Sequence, residues 1–165
     1  MSHPNVVHLE SIAPTTTEEG PHRFTRRQLG APAGSVQLGC SHVTLPPGAR
    51  SWPRHWHEVN EEAIYVLSGE GVLLLGEARV AVKAGDYAAL PVGEAHAHQM
   101  RNESDVPLEY LCFSTRIPFE IAGYADSGKL AIFAGAAPGG DKSQRRLSRV
   151  IRPTDVDYWD GEGEG

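Results

Sequence analysis

Two pairs of histidines, His55 with His57 and His96 with His98, are the residues whose types and spacing can do chemistry in this sequence. On a strand, positions i and i+2 point to the same face. Each pair can therefore aim two imidazoles at one point, while Trp56 faces the other way. Glu62 follows beyond a polar connection, Glu58–Glu61, that lets the next strand fold alongside. Glu61 is the neighbouring candidate, but it faces opposite to Glu62 once that strand has begun. Two or three imidazoles plus one carboxylate form a mixed N/O donor set suited to a divalent transition metal: Zn, Fe, Mn, Ni, Co or Cu. A single His-x-His is weak evidence, because edge strands carry surface histidines, as expected for His3, His8 and His22. A pair followed by a carboxylate, with a second pair in a later strand, is much harder to reach by accident.

The elements that must position these side chains are short strands. Apolar residues at Val36, Leu38, Cys40, Val43 and Leu45 describe a strand with one slip in phase. Further strands are predicted at Arg54–His57, Ala63–Leu67, Val72–Leu75, Arg79–Val82, Tyr87–Leu90, His96–Arg101 and Leu108–Thr115. Turns punctuate them at Pro46–Gly48, Ser68–Gly71, Gly76–Glu77 and Lys83–Asp86. This even spacing predicts an all-β fold of short antiparallel strands, a barrel or jelly roll over residues 35–116. Residues 1–34 read as an irregular N-terminal arm, with a short edge strand at Val6–Leu9. Residues 117–165 read as a C-terminal extension that ends in a disordered acidic tail, Asp160–Gly165. Within it, Tyr158 and Trp159 are expected to strap onto the barrel surface or onto a second subunit.

Composition bounds the function. A length of 165 residues fits one domain. Lys+Arg 15 against Asp+Glu 21 gives a net charge of −6, which argues against nucleic acid as a partner. No stretch approaches the roughly 18 apolar residues of a membrane span. Two cysteines, Cys40 and Cys112, are too few for a disulfide scaffold and read as small buried thiols. The N-terminal residues have no basic region followed by an apolar run, so a reducing cytoplasm is the expected location.

The stretch Gly48-Ala-Arg-Ser-Trp-Pro-Arg-His55-Trp-His57-Glu-Val-Asn-Glu-Glu62-Ala-Ile-Tyr-Val-Leu-Ser-Gly69 resembles the first cupin motif. Its first glycine stands one residue farther upstream than usual. Gly85-Asp-Tyr-Ala-Ala-Leu-Pro91-Val-Gly93 resembles the start of the second motif. The resemblance covers about residues 36–116. It implies a small β-barrel or jelly roll, a metal in its mouth, and frequent dimerisation; it does not imply a reaction. The second motif carries one histidine ligand. Counting forward from Gly93 selects His96, and counting back from Asn102 selects His98. The adopted reading puts His55, His57, Glu62 and His98 on the metal and His96 beside it as an acid/base. If His96 is the ligand, the two exchange roles.

Two functions follow. One is a metal-dependent enzyme of oxygenase, isomerase, lyase or decarboxylase type, acting on a small oxygen-bearing molecule. The alternative is a non-catalytic module that binds or senses a small ligand. A homodimer is expected in either case, because an open edge strand needs cover. Trp52 and Arg54 are read as an exposed pair or as the pocket rim, where Arg54 would bind a carboxylate.

Overall fold

A computed structural model of the chain describes residues 3–163. Glu164 and Gly165, the end of the expected disordered tail, lie outside the described residues. Thirteen strands form among those described: β1 (Thr15–Glu19), β2 (His22–Gln28), β3 (Leu38–Leu45), β4 (His55–His57), β5 (Glu62–Ser68), β6 (Glu70–Leu75) and β7 (Ala78–Lys83). They continue as β8 (Tyr87–Leu90), β9 (His98–Arg101), β10 (Leu108–Thr115), β11 (Phe119–Tyr124), β12 (Lys129–Ala134) and β13 (Leu147–Ile151). One sheet has the order β1-β2-β3-β10-β5-β8 and the other β13-β12-β11-β4-β9-β6-β7. All named pairings are antiparallel. The architecture is the expected jelly roll, built as two packed sheets instead of a closed barrel. Among the described residues, no helix is long and apolar enough to cross a membrane.

Alternation builds the core. On β10, Leu108 and Tyr110 are buried, and they pair with Leu45 and Val43 of β3, which are buried too. Phe24, Ile64, Val66, Leu73, Leu90 and Met100 join them between the sheets. Each such side chain contributes roughly 1.5–3 kcal/mol by leaving water. Ile64 and Val66 share the phase of Glu62, so β5 places its carboxylate on the inner face at the end of an apolar row. Tyr65 points out, as alternation requires.

Four expectations need correction. Residues 1–34 hold two paired strands, β1 and β2, while Val6–Leu9 forms none. The inward positions of β2 are Phe24, Arg26 and Gln28, so charge interrupts the hydrophobic alternation that would mark a strand. Residues 117–165 hold three more strands, and β11 pairs directly with β4. There the signal is masked by a buried Glu120 and a small Ala122. The strand expected at His96–Arg101 begins at His98, because Gly93 (φ 100) starts a single 3-10 turn over Glu94–His96. Tyr158 and Trp159 stack edge to face on each other and stay exposed, off the barrel surface of their own chain.

Candidate metal centre

Strand β4 is only three residues long and sits between β11 and β9, with His55 directly opposite His98. Gly123 on β11 stands opposite Trp56, and any Cβ there would collide with the indole ring. That close approach lets Trp56 lie flat on the outside while His55 and His57 turn inward. Glu62 reaches the same point from the other sheet. One potential ligand atom from each of His55, His57, Glu62 and His98 lies within 4.8 Å of all the others. His98 Nε2 is 3.2 Å from Glu62 Oε2, and His57 Nε2 is 3.7 Å from Glu62 Oε1.

Every histidine of the cluster is tied at its other nitrogen. Nδ1 of His55 meets the Pro53 carbonyl at 2.8 Å, and Nδ1 of His98 meets the His96 carbonyl at 3.0 Å. A carbonyl oxygen only accepts, so these Nδ1 atoms carry the proton and donate. A neutral ring then has its lone pair on Nε2, facing the cluster, whereas a ring protonated at both nitrogens can donate from Nε2 to Glu62. Nδ1 of His57 meets Glu120 Oε2 at 3.1 Å. Nε2 of His57 is buried and has no hydrogen-bond partner, which is what a metal ligand looks like before its metal is considered.

Glu120 is fully buried, and sequence reasoning missed it. Its Oε1 accepts from the backbone N–H groups of Glu58 and Val59, both at 3.1 Å. Its Oε2 accepts from the Asn60 N–H at 3.1 Å and the Asn60 side-chain amide at 2.8 Å. Asn60 Oδ1 in turn accepts from the Ile117 N–H at 2.7 Å. One carboxylate therefore pins the connection between β4 and β5 and sets the ring of His57. Such carboxylate–histidine pairs fix the tautomer and raise the basicity of a metal-ligating imidazole.

The electrostatics agree with a cation site. Burial pushes the His55 pKa down to about 4, helped by the neighbouring His98 and His57, so His55 is neutral near pH 7. Burial pulls His57 the same way, but the hydrogen bond it donates to Glu120 and the charges of Glu62 and Glu120 outweigh it and raise that pKa. For Glu62, burial opposes ionisation; the His98 hydrogen bond and the His57 and His55 charges overcome it and hold the carboxyl down to about 2. A permanent carboxylate beside imidazole lone pairs is a donor set that fits a divalent transition metal.

The cluster opens on a cavity of about 170 Å³ between the sheets. That is smaller than the roughly 300–1,000 Å³ of drug-sized sites, so it has room only for a small molecule. Trp52 lines the cavity and packs on Phe24, with ring centroids 4.2 Å apart. Arg54 turns away, to the Gly76 carbonyl and Glu77. The arginines that do line the cavity are Arg26 and Arg116, neither singled out in the sequence. The ring of His96 is not among the lining groups, and its part in the site is the carbonyl that orients His98. Asn102 is structural: its amide donates to the carbonyls of Leu45 and Val106. Cys40 and Cys112 are free thiols on the cavity wall.

Residues 41–114 match the family described as the cupin domain, and all four clustered ligands fall inside that match. The chain belongs to the cupin superfamily. Among solved structures, this cupin resembles a sugar phosphate isomerase from a cupin superfamily of Silicibacter pomeroyi. The two are 29% identical with a TM-score of 0.75, over 89% of this chain and 92% of that one. An oxalate-binding protein of Thermotoga maritima is 38% identical over 71 residues, 43% of this chain and 56% of the relative. An uncharacterised protein of Methanocaldococcus jannaschii is 32% identical over 79 residues, 48% of this chain and 61% of the relative. The chain thus matches less than two thirds of the length of either curated relative.

Proposed function

We propose that this cupin holds one divalent transition metal through His55, His57, Glu62 and His98 and acts on a small oxygen-bearing molecule bound in the cavity. The observation that carries the reading is the convergence of four donors within 4.8 Å, one of them the orphaned, buried Nε2 of His57. Bound there, a divalent metal would supply Lewis-acid polarisation of a carbonyl or hydroxyl oxygen. Trp52, Ile64 and Met100 would exclude water from one side of the ligand. The sugar phosphate isomerase of Silicibacter pomeroyi supports an isomerase-type reaction on a polyoxygenated substrate.

A second reading, a binding module without turnover, has its own support. Apart from the clustered ligands and the arginines, the titratable groups lining the cavity are Cys40, Cys112 and Tyr110. Burial pushes all three upward, away from neutral pH, so none is poised to move a proton there. His96, expected as acid/base, is not among the residues lining the cavity. The oxalate-binding relative is consistent with this reading.

Elemental analysis of protein purified without chelator tests the common part, with one metal per chain expected. A His55→Ala/His57→Ala variant should lose it, and full occupancy in that variant would refute the assignment. Assays with sugars, keto acids and diketones on metal-loaded protein separate the two readings: turnover selects the enzyme, tight binding without turnover the module. We also propose a homodimer, because edge strands β8 and β13 carry exposed Tyr87, Val150 and Ile151. Light scattering should then give twice the 17.8 kDa chain mass.

A further inference from the structure

We propose that Arg26 is the anion-binding residue of the cavity, taking a carboxylate or phosphate group of the same small molecule whose other oxygens meet the His55, His57, Glu62 and His98 cluster. This rests on the metal reading above and narrows its ligand to an anion.

The position of Arg26 is unusual for a charged residue. On β2 it stands opposite Val43 of β3, which is fully buried, and one alternation beyond buried Phe24. Its side chain is therefore on the inner face of the sheet, and it lines the cavity. Its Nε is buried without a hydrogen-bond partner. Among the described residues, no hydrogen bond or ion pair engages any other atom of the guanidinium either.

Two other arginines share a buried, unpartnered Nε, but each is held elsewhere. Arg54 reaches the Gly76 carbonyl and Glu77, and Arg145 reaches the Ala137 carbonyl. The polar neighbours of Arg26 on the cavity wall are also held. The Gln28 amide donates to the Gly139 carbonyl at 2.6 Å, and Arg116 Nη1 donates to the Ser35 carbonyl at 2.9 Å. Arg26 alone of this group presents an unused fork of donors. That fork matches the two oxygens of a carboxylate or phosphate.

Charge points the same way. A divalent metal on one carboxylate and three neutral imidazoles leaves the cluster net positive. Arg26 and Arg116 add to that, and Glu62 is the one acidic side chain lining the cavity. Arg26 and Cys112 both line the cavity; burial pushes the Cys112 thiol upward, and the charge of Arg26 pulls against it. An unpaired charge on an inner face is a cost to the folded protein that an anionic ligand would offset.

The experiment is calorimetric titration of metal-loaded wild type and Arg26→Gln with malate and with glycerol 3-phosphate, glycerol serving as the uncharged control. Malate and glycerol 3-phosphate separate a carboxylate ligand from a phosphate ligand. At least one should bind the wild type, and Arg26→Gln should weaken it about 10- to 100-fold, the value of a charged hydrogen bond. Metal content should be unchanged. Arg26→Met supplies an independent readout: the ligand-free protein should melt at the same temperature as wild type or higher, because a partly buried charge with no partner has been removed from the inner face of the sheet. A lower melting temperature would make Arg26 a structural residue and overturn the proposal. So would unchanged anion affinity in Arg26→Gln, or metal-loaded wild type that binds neither anion. Failure of the wild type to load metal would instead overturn the metal reading on which this one stands.

Discussion

The cavity has two unlike walls. The sheet carrying β4, β9 and β11 supplies three histidines, and each is fixed from behind by a carbonyl or by Glu120. The other sheet supplies Glu62 and Arg26. Glu62 is held by the histidines it faces, and Arg26 by no hydrogen bond or ion pair among the described residues. One wall is rigid before anything binds; the other has donors left for a ligand. Metal sites and substrate sites make different demands. A metal needs ligand geometry set in advance, whereas an anion needs an unspent charge facing it.

The sharpest way to break this contrast is to loosen the rigid wall. Glu120→Ala removes the acceptor for the Glu58, Val59 and Asn60 N–H groups and the partner of His57. We expect a loss of about 3 kcal/mol or more in chemical denaturation of the metal-free protein. Glu120→Gln, which keeps the volume, should fold and bind metal about 10- to 100-fold more weakly in competition with a chelator. Metal affinity unchanged in Glu120→Gln would mean that the carboxylate braces the loop only.

Acidification probes the same wall more gently. The folded His55 pKa, about 4, lies below its ordinary value of 6.5, so the unfolded chain binds the extra proton first. Stability of the metal-free protein should therefore fall as pH drops from 6.5 to about 4, by on the order of 3 kcal/mol at most. His57 has the opposite sign: its raised pKa gives stability that is complete below 6.5 and fades as pH rises through the folded value. Glu62, held down to about 2, adds a loss only below the ordinary carboxyl range, near 4.5. His55→Asn should flatten the slope between 6.5 and 4, which unfolding midpoints measured across that range would reveal.

The smallest expected effect sharpens the other wall. Arg54 sits beside the first ligand in sequence but points outward to the fully exposed Glu77. Arg54→Ala should cost about 1 kcal/mol or less and leave metal content and anion binding untouched. Calorimetry with malate and glycerol 3-phosphate provides the check. A loss of anion affinity here equal to that in Arg26→Gln would show a general effect of positive charge and not a site.

What the sequence disclosed followed from alternation and turn chemistry. Strands Tyr87–Leu90 and Leu108–Thr115 match their predicted bounds because each is a short apolar run bounded by turn residues. Gly69, Gly76 and Gly85 adopt positive φ at the turns assigned to them. The clustered ligands were legible because their spacing is local to short strands. The missing parts were hidden for one reason. Arg26 on β2 and Glu120 on β11 occupy inward positions where apolar residues mark a strand. Inserting charge there erased the pattern that would have revealed both the strand and the residue. His96 was expected to share the face of His98, but parity applies only within a strand, and Gly93 delays the start of β9 until His98.

The hydrogen bond between His57 and Glu120 joins residues 63 positions apart. At synthesis rates of about 5–20 residues per second, roughly 3–13 s pass between their emergence from the ribosome. All four donor residues leave the ribosome before the group that orients His57 does. During that interval the nascent chain presents histidines without their final brace, free to take whichever metal is at hand. For the metal proposed above, selection by a fully braced site could begin only once β11 has docked, so the ion retained would depend on the kinetics of exchange as well as on the geometry of the completed cluster.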